Sequence, residues 1–534
     1  MTRQLDQMST DRRKLLKGIG LSAAGVGLAS AHAVGAQGPT YSLAAAQDVK
    51  PGGTLMVGLN QESATIDPHL SRDAAGNQIK GLIYSQLLKY YYDRELVPDL
   101  AESYEQTDDV TYEFKLRQGV KFHDGAELTS ADVVASYERI LNKDVGAYLY
   151  PFIGDSVESV TAPDDYTVVF KLNGPFTAFL PTLGLPGNSI AQKAKIDEGV
   201  DFTIDVVGSG PFKLASRTEG VETRLEKNPD YFLEGLPYLD EIVFRPIFDD
   251  PARMNALFSG DVDLITYPNW ASMERIENDP ALQLQSNKSD GFVFIHFRVD
   301  RPPFDDVKIR QAISYAINRD AIIATATSGR GQASAGGFIP PWMEEFYNPD
   351  LAEKYAYDPE KAKQLIQEAG AEGLEIEFTS WPADTELFGR PSVVVANMLN
   401  ELGLKVTLRP QPVAEWAQTR AEGTYQMFMD GNLYGVADPD FLTSYFQTGA
   451  RIPAANQFSD EQIDAWLDEG RGMPNGDERA EVYRHIEERA LDLMPITLLF
   501  YREQGEASQT YVQGHQYIGS LGYTNTLLEV WLDK

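Results

Sequence analysis

The 534-residue chain contains no cysteine. That excludes thiol catalysis, thiolate metal sites and disulfides, and it excludes a lipoprotein anchor, whose lipid is carried on a cysteine. Histidine is scarce, with six in the chain. Outside the N-terminal segment these are His69, His123, His296, His485 and His515, and no metal-ligand spacing links them. His-Glu-x-x-His, Gly-x-Ser-x-Gly and Walker A patterns are also missing. Long apolar runs are absent too. The uncharged stretch from Gly18 to Ala36 is broken by glycine, whereas a membrane span needs about 20 mostly apolar residues. Basic residues are few: 46 Lys and Arg against 79 Asp and Glu, a net charge of −33. Such a field repels nucleic acid and anionic membrane surfaces. The acid excess reads as a heavily solvated surface, with a preference for a cationic ligand as the alternative.

What is present begins with Asp11-Arg12-Arg13-Lys14-Leu15-Leu16-Lys17, a Gly/Ala-rich apolar run and Ala-His-Ala-Val-Gly-Ala-Gln. A basic n-region, a short h-region and small residues before a cleavage point read as an export signal. The paired arginines resemble the twin-arginine signal, with Asp11 where Ser or Thr is usual and Leu15 where Phe is usual. Cleavage is expected after Ala36, with Ala33 as the alternative. Residues 37–50 read as a flexible leader. The expected product is a free, periplasmic protein without lipid anchor or membrane insertion. Removing residues 1–36, with five basic and two acidic side chains, takes the net charge to −36.

Along the rest of the chain, segments of period 2 and period 3.6 alternate, which defines an α/β or α+β class. Strands are predicted at 53–59, 110–116, 167–172, 223–227 and 241–246, and a strand and turn at 119–125. Apolar residues at Ile79, Leu82, Ile83, Leu87 and Leu88 predict a helix within 73–91. Thr129 opens a helix running to about Leu141, Asp249-Asp250-Pro251 precedes one burying Met254, Leu257 and Phe258, and Asp305-Asp306 precedes another at Val307.

Several blocks in one order then carry a resemblance. They are Pro51-Gly52-Gly53-Thr54-Leu55, Ile66-Asp67-Pro68-His69 and Leu96-Val97-Pro98-Asp99-Leu100-Ala101-Glu102-Ser103, followed by the run from Phe114 to Gly125 and Leu128-Thr129-Ser130-Ala131-Asp132-Val133. Gly208-Ser209-Gly210-Pro211-Phe212, Asn228-Pro229-Asp230-Tyr231, Gly260-Asp261-Val262-Asp263, Arg310-Gln311-Ala312-Ile313 and Tyr357-Asp358-Pro359 continue the series. Over roughly residues 50–500 the chain resembles the family 5 extracellular solute-binding proteins, the dipeptide- and oligopeptide-binding subunits of ABC importers. The resemblance implies a type II periplasmic-binding-protein fold: two lobes around a cleft, hinge strands, and an extra domain in the first lobe. The expected boundaries are 51–290 plus 501–534 for lobe 1, about 72–205 for its extra domain, and 291–500 for lobe 2. The hinge is expected near Gly291–Arg298 and Leu498–Arg502.

By the same resemblance, the loop after the first strand, Asn60, Gln61, Glu62 and Ser63, borders the ligand. So does Ser380-Trp381-Pro382, with Arg390 as the nearest cation downstream, able to pair with a ligand carboxylate. The third place is the segment 429–440, with Asn432, Tyr434, Gly435 and Asp438. Peptide binders carry an aspartate three residues before the acidic-Pro pair. Here that position is Gly435, so the ammonium anchor is missing unless Asp430 or Asp438 takes the role. Trp270 and Trp416 read as core residues, with stacking on a sugar or heterocycle as the alternative. The family implies a monomer that hands a small solute, by default a di- or oligopeptide, to a membrane permease, with no catalysis, cofactor or metal. An oligosaccharide, an opine-like conjugate or a metal chelate is the alternative ligand, and a hydrolase with paired carboxylates is the more distant reading.

Overall fold

The computed structural model describes residues 49–91, 94–433, 436–519 and 527–534, without the side chains of 288–290 and 433. The export signal, the leader up to residue 48, Tyr434 and Gly435 lie outside the described residues. Among those described, no helix is long and apolar enough to cross a membrane, and no cluster of three or more His, Asp or Glu could hold a metal ion.

Two long antiparallel strands, Leu282–Phe297 and Ile496–Gln509, run through the middle of an 11-stranded sheet. On one side of this pair, the first strand Thr54–Leu59 lies parallel between Glu241–Pro246 and Leu264–Thr266. Leu55, Val57 and Leu59 share one face of the sheet and are buried against Ile79 and Leu82 of the helix Ala74–Ile83. On the other side, Met427–Leu433 pairs with Leu282–Phe297, and Glu375–Ser380 lies parallel to it and to Lys405–Pro410. A separate antiparallel sheet of four strands is built from Ala101–Asp108, Thr111–Leu116, Thr167–Leu172 and Val157–Asp164.

The hydrophobic cores divide the same way. One cluster collects Leu55, Ile79, Phe212, Phe244 and Val530. A second, under the four-stranded sheet, holds Phe114, Tyr137, Phe170 and Phe179. The largest draws on residues from Trp270 to Tyr501, including Phe292, Phe378, Phe428 and Phe500. The long strand pair threads from one side to the other: Phe292–Phe297 belong to the largest core, while Leu282 joins a satellite cluster with Met254 and Leu257. Pairing between the two strands breaks register between Asn287 and Gly291, where the chain passes between cores. The mixed α/β architecture is that of the type II binding proteins, with the four-stranded antiparallel sheet as a separate element.

Local signals explain many elements. Thr129 and Asp132 form a reciprocal capping box at the start of Ser130–Leu141. Asp249 and Asp306 cap Asp250–Ser259 and Val307–Ala316 through Ala252 N and Lys308 N. The helix predicted within 73–91 covers only Ala74–Ile83, and Leu88–Tyr90 is a strand paired with Leu96–Pro98. Tertiary contact overrides periodicity here, because the Gly210 amide donates to the Ile83 carbonyl at 2.8 Å. A Cβ on Gly208 would meet that carbonyl oxygen at 2.0 Å, so the glycine block is needed for the approach. The segment 119–125 forms turns with one isolated bridge, Lys121 to Glu127, instead of a strand, since Gly119 and Gly125 both take positive φ. His123 from this segment braces the glycine block. Its Nδ1 accepts from Gly208 N at 3.3 Å and its Nε2 bonds the Gly210 carbonyl at 3.1 Å. Burial pushes its pKa down to about 4, so it is a neutral structural strut.

Candidate ligand-binding cavity

A cavity of about 840 Å³ opens where the cores meet the long strand pair. Its floor carries Arg502 and Gln504, which alternate with Glu503 on the strand Ile496–Gln509 and so face the same side. One wall comes from Asn60 and Gln61 after the first strand, from Phe248, Asp249 and Asp250, and from Tyr267 to Trp270. The opposite wall is Trp381 and the segment Asp384 to Leu387 with Arg390.

Each wall is set by local chemistry. Arg253, 2% exposed, donates to the carbonyls of Ile247 and Tyr267 and to Asp250, which ties the turn at 247–250 to the segment at 267. Tyr267 sits at φ 51°, a left-handed conformation uncommon for a tyrosine. On the opposite wall the chain folds into a tight loop. Thr385 Oγ1 donates to the Pro382 carbonyl at 2.7 Å and accepts from Gly389 N at 3.0 Å. A Cβ at Gly389 would lie 1.9 Å from the Pro382 oxygen, so only glycine closes this loop. The loop turns Glu386 and Arg390 toward the cavity, with Arg390 Nη1 at 3.3 Å from Glu386. Trp381 is backed by Phe388, ring centroids 4.5 Å apart, and by Trp416 at 5.7 Å. Its indole N–H is a buried donor without a partner among the described residues.

Asn60, Gln61, Trp381 and Arg390 therefore line this cavity. Glu62 and Ser63 do not. Glu62 accepts from the Gly220 amide at 2.8 Å, and Ser63 is buried, its hydroxyl on the Thr65 carbonyl and its own carbonyl on Arg217. Asn432 also lies off the lining, donating to Tyr445 Oη at 2.7 Å. Asp438, 4% exposed, accepts from both terminal nitrogens of the fully buried Arg479 at 2.9 and 2.7 Å. Asp430 is wholly buried, with Arg420 at 3.2 Å. Each aspartate that could have replaced the one missing at Gly435 is thus already neutralised inside the protein. Trp270 and Trp416 are 4% and 6% exposed, and their indoles donate to the carbonyls of Glu503 and Met429, as core tryptophans do. Trp270 still contributes to the cavity wall.

Phe248, Tyr267, Asn269, Glu386 and Gln504 were missed at the level of sequence. Strand alternation from Arg502 would have found Gln504. For Tyr267 and Glu386 no pattern exists, since their roles arise from contacts between distant segments.

Two lobes on a long strand pair, with the cavity between them, define a binding protein of the periplasmic type II class. A family model for bacterial extracellular solute-binding proteins, family 5 Middle, matches residues 95–453, and the chain belongs to that family. Heme-binding protein A of Haemophilus influenzae is 32% identical over 436 residues, 76% of this chain and 79% of that protein. The dipeptide-binding protein of Escherichia coli is 30% identical over 466 residues, covering 81% and 86%. Among solved structures, the PBP AgaA from A. tumefaciens R10 in complex with agropinic acid superposes with a TM-score of 0.81 at 33% identity, covering 90% of this chain and 99% of that one.

Proposed function

We propose that this protein is the exported solute-binding component of an ABC import system, which captures a small solute in the cavity, closes over it and delivers it to a membrane permease. The observation that carries this reading is the position of the cavity, against the strand pair that runs from the largest core to the separate cluster around Met254 and Leu257. A hinge there converts ligand contacts on both walls into lobe closure. The lobes are 51–290 plus 501–534, with the extra domain at about 72–205, and 291–500. Twin-arginine export, cleavage after Ala36, a periplasmic monomer without lipid anchor, and transport without catalysis complete the reading.

A di- or oligopeptide is the first ligand class, supported by the kinship with the dipeptide-binding protein. A non-peptide solute such as an opine-like conjugate is the second. Specific support for it comes from the internal pairing of Asp430 and Asp438, which leaves neither of them free to anchor an ammonium group, and from the likeness to AgaA. A thermal-shift screen of the mature protein with peptides, oligosaccharides and sugar–amino acid conjugates separates the two. A ligand at a hundred times its Kd adds about 2.7 kcal/mol to the folded state. Stabilisation by di- to pentapeptides, lost on N-acetylation, supports the peptide class. Stabilisation only by conjugates or sugars supports the second, and turnover of any of them by pure protein overturns a pure binding role.

A further inference from the structure

The helix Trp270–Glu277 sits at the seam between the two lobes. Trp270 and Met273 pack into the largest core, while Ile276 packs with Met254 and Leu257. Both its ends are held by side chains from the 291–500 block. At the N-terminus, Asn269 caps Ser272 N at 2.9 Å, and Glu386 takes the amides of Trp270 at 2.8 Å and Ala271 at 3.3 Å. At the C-terminal end, Arg330 grips Glu277 with both terminal nitrogens, at 2.8 and 2.6 Å. A carboxylate at the first end and a guanidinium at the second both complement the helix dipole.

Arg330 reaches further. Its Nη1 lies 3.3 Å from Glu503, which sits on the long strand Ile496–Gln509 with its side chain 2% exposed. Glu503 also accepts from Ser286 on the partner strand at 2.6 Å, and its Oε2 has no partner among the described residues. Arg330 is the cation that offsets this buried charge in the strand pair, and losing it would leave the carboxylate uncompensated. Glu386 is linked in turn to the cavity, through Arg390 at 3.3 Å.

We propose that Glu386 and Arg330 form a bracket that clasps the Trp270–Glu277 helix from across the seam and keeps the closed arrangement populated in the absence of solute. Solute then selects a state that already exists. The proposal rests on the reading of 291–500 as the moving lobe.

The absence of cysteine makes the test clean, because spin labels can be placed at chosen sites only. Val221→Cys and Val413→Cys, both at exposed positions on opposite sides of the long strand pair, report the lobe separation by pulsed electron–electron distance measurement. Without solute, the protein with intact Glu386 and Arg330 is expected to show a short-distance population. Glu386→Gln, which keeps shape and removes charge, is expected to reduce it at least fivefold, and Glu386→Asp to retain part of it. Arg330→Gln is expected to act like Glu386→Gln. Should that variant fail to fold, Arg330→Lys keeps the charge without the two-pronged grip and is expected to open the protein partly. Identical distance distributions in all backgrounds, or a fully open protein before any substitution, would overturn the bracket. Because every distance is read without solute, a protein that bound nothing in the thermal-shift screen would still report on it.

Discussion

Two acidic regions of this protein look alike in sequence and differ in how deeply their acids are buried and paired. The segment 430–440 carries Asp430, Asp438 and Asp440, and each has an arginine: Arg420, Arg479 and Arg471. On the cavity walls Asp249 caps a helix, Glu386 takes two backbone amides with Arg390 beside it, and Asp384 is exposed. An acid's value as a ligand anchor is thus decided by what already neutralises it. With so many acids in the chain, counting them could not separate the two groups. Glu487 is a third kind: wholly buried, it accepts from the amides of Phe338 and Ile339, and burial raises its pKa to about 7.

The largest effect is expected at Asp438. Replacing it by Ala strands the charge of Arg479, and urea unfolding is expected to show a loss of about 3–5 kcal/mol. A smaller effect, seen in pH dependence, marks Glu487. Its folded-state pKa lies above the ordinary carboxyl value of 4.5, so its contribution is complete in acid and is lost as pH rises from about 4.5 through about 7. Glu487→Gln is expected to remove up to about 3 kcal/mol of that slope, measured as the difference in unfolding free energy between pH 5 and pH 8. Next come the cavity walls. Trp381→Ala is expected to weaken solute binding by about tenfold or more, while Asn432→Ala changes it by less than about threefold. The smallest effect belongs to Asp384→Ala, which is exposed and is expected to shift stability by no more than about 0.5 kcal/mol. A large loss there would mean that Asp384 is structural, as Asp249 and Glu386 are.

Much of the scaffold was legible in the chain itself. Capping residues Thr129, Asp249 and Asp306 announced their helices because they act within one turn of backbone. The glycine block at 208–211 and the His123 segment stood out as patterns, but their meeting did not, since it depends on a contact 85 residues away in sequence. The same limit governed the site. Trp381 and the loop at 60–63 follow strand ends and Arg390 opens a helix, yet only Asn60, Gln61, Trp381 and Arg390 of the candidates reach the cavity; Glu62, Asn432 and Asp438 are engaged by partners distant in sequence, and Ser63 turns back onto Thr65. Glu386 shows the limit most sharply: its two amide contacts lie 115 and 116 residues away.

The most direct test is calorimetric titration of the solute found by thermal shift against Trp381→Ala and Asn432→Ala side by side. Trp381→Ala is expected to lose affinity by at least about tenfold while Asn432→Ala stays close to the unmodified protein. The reverse pattern, with Asn432→Ala failing to bind and Trp381→Ala unaffected, would move the ligand to the 430–440 segment and contradict the assignment of the cavity.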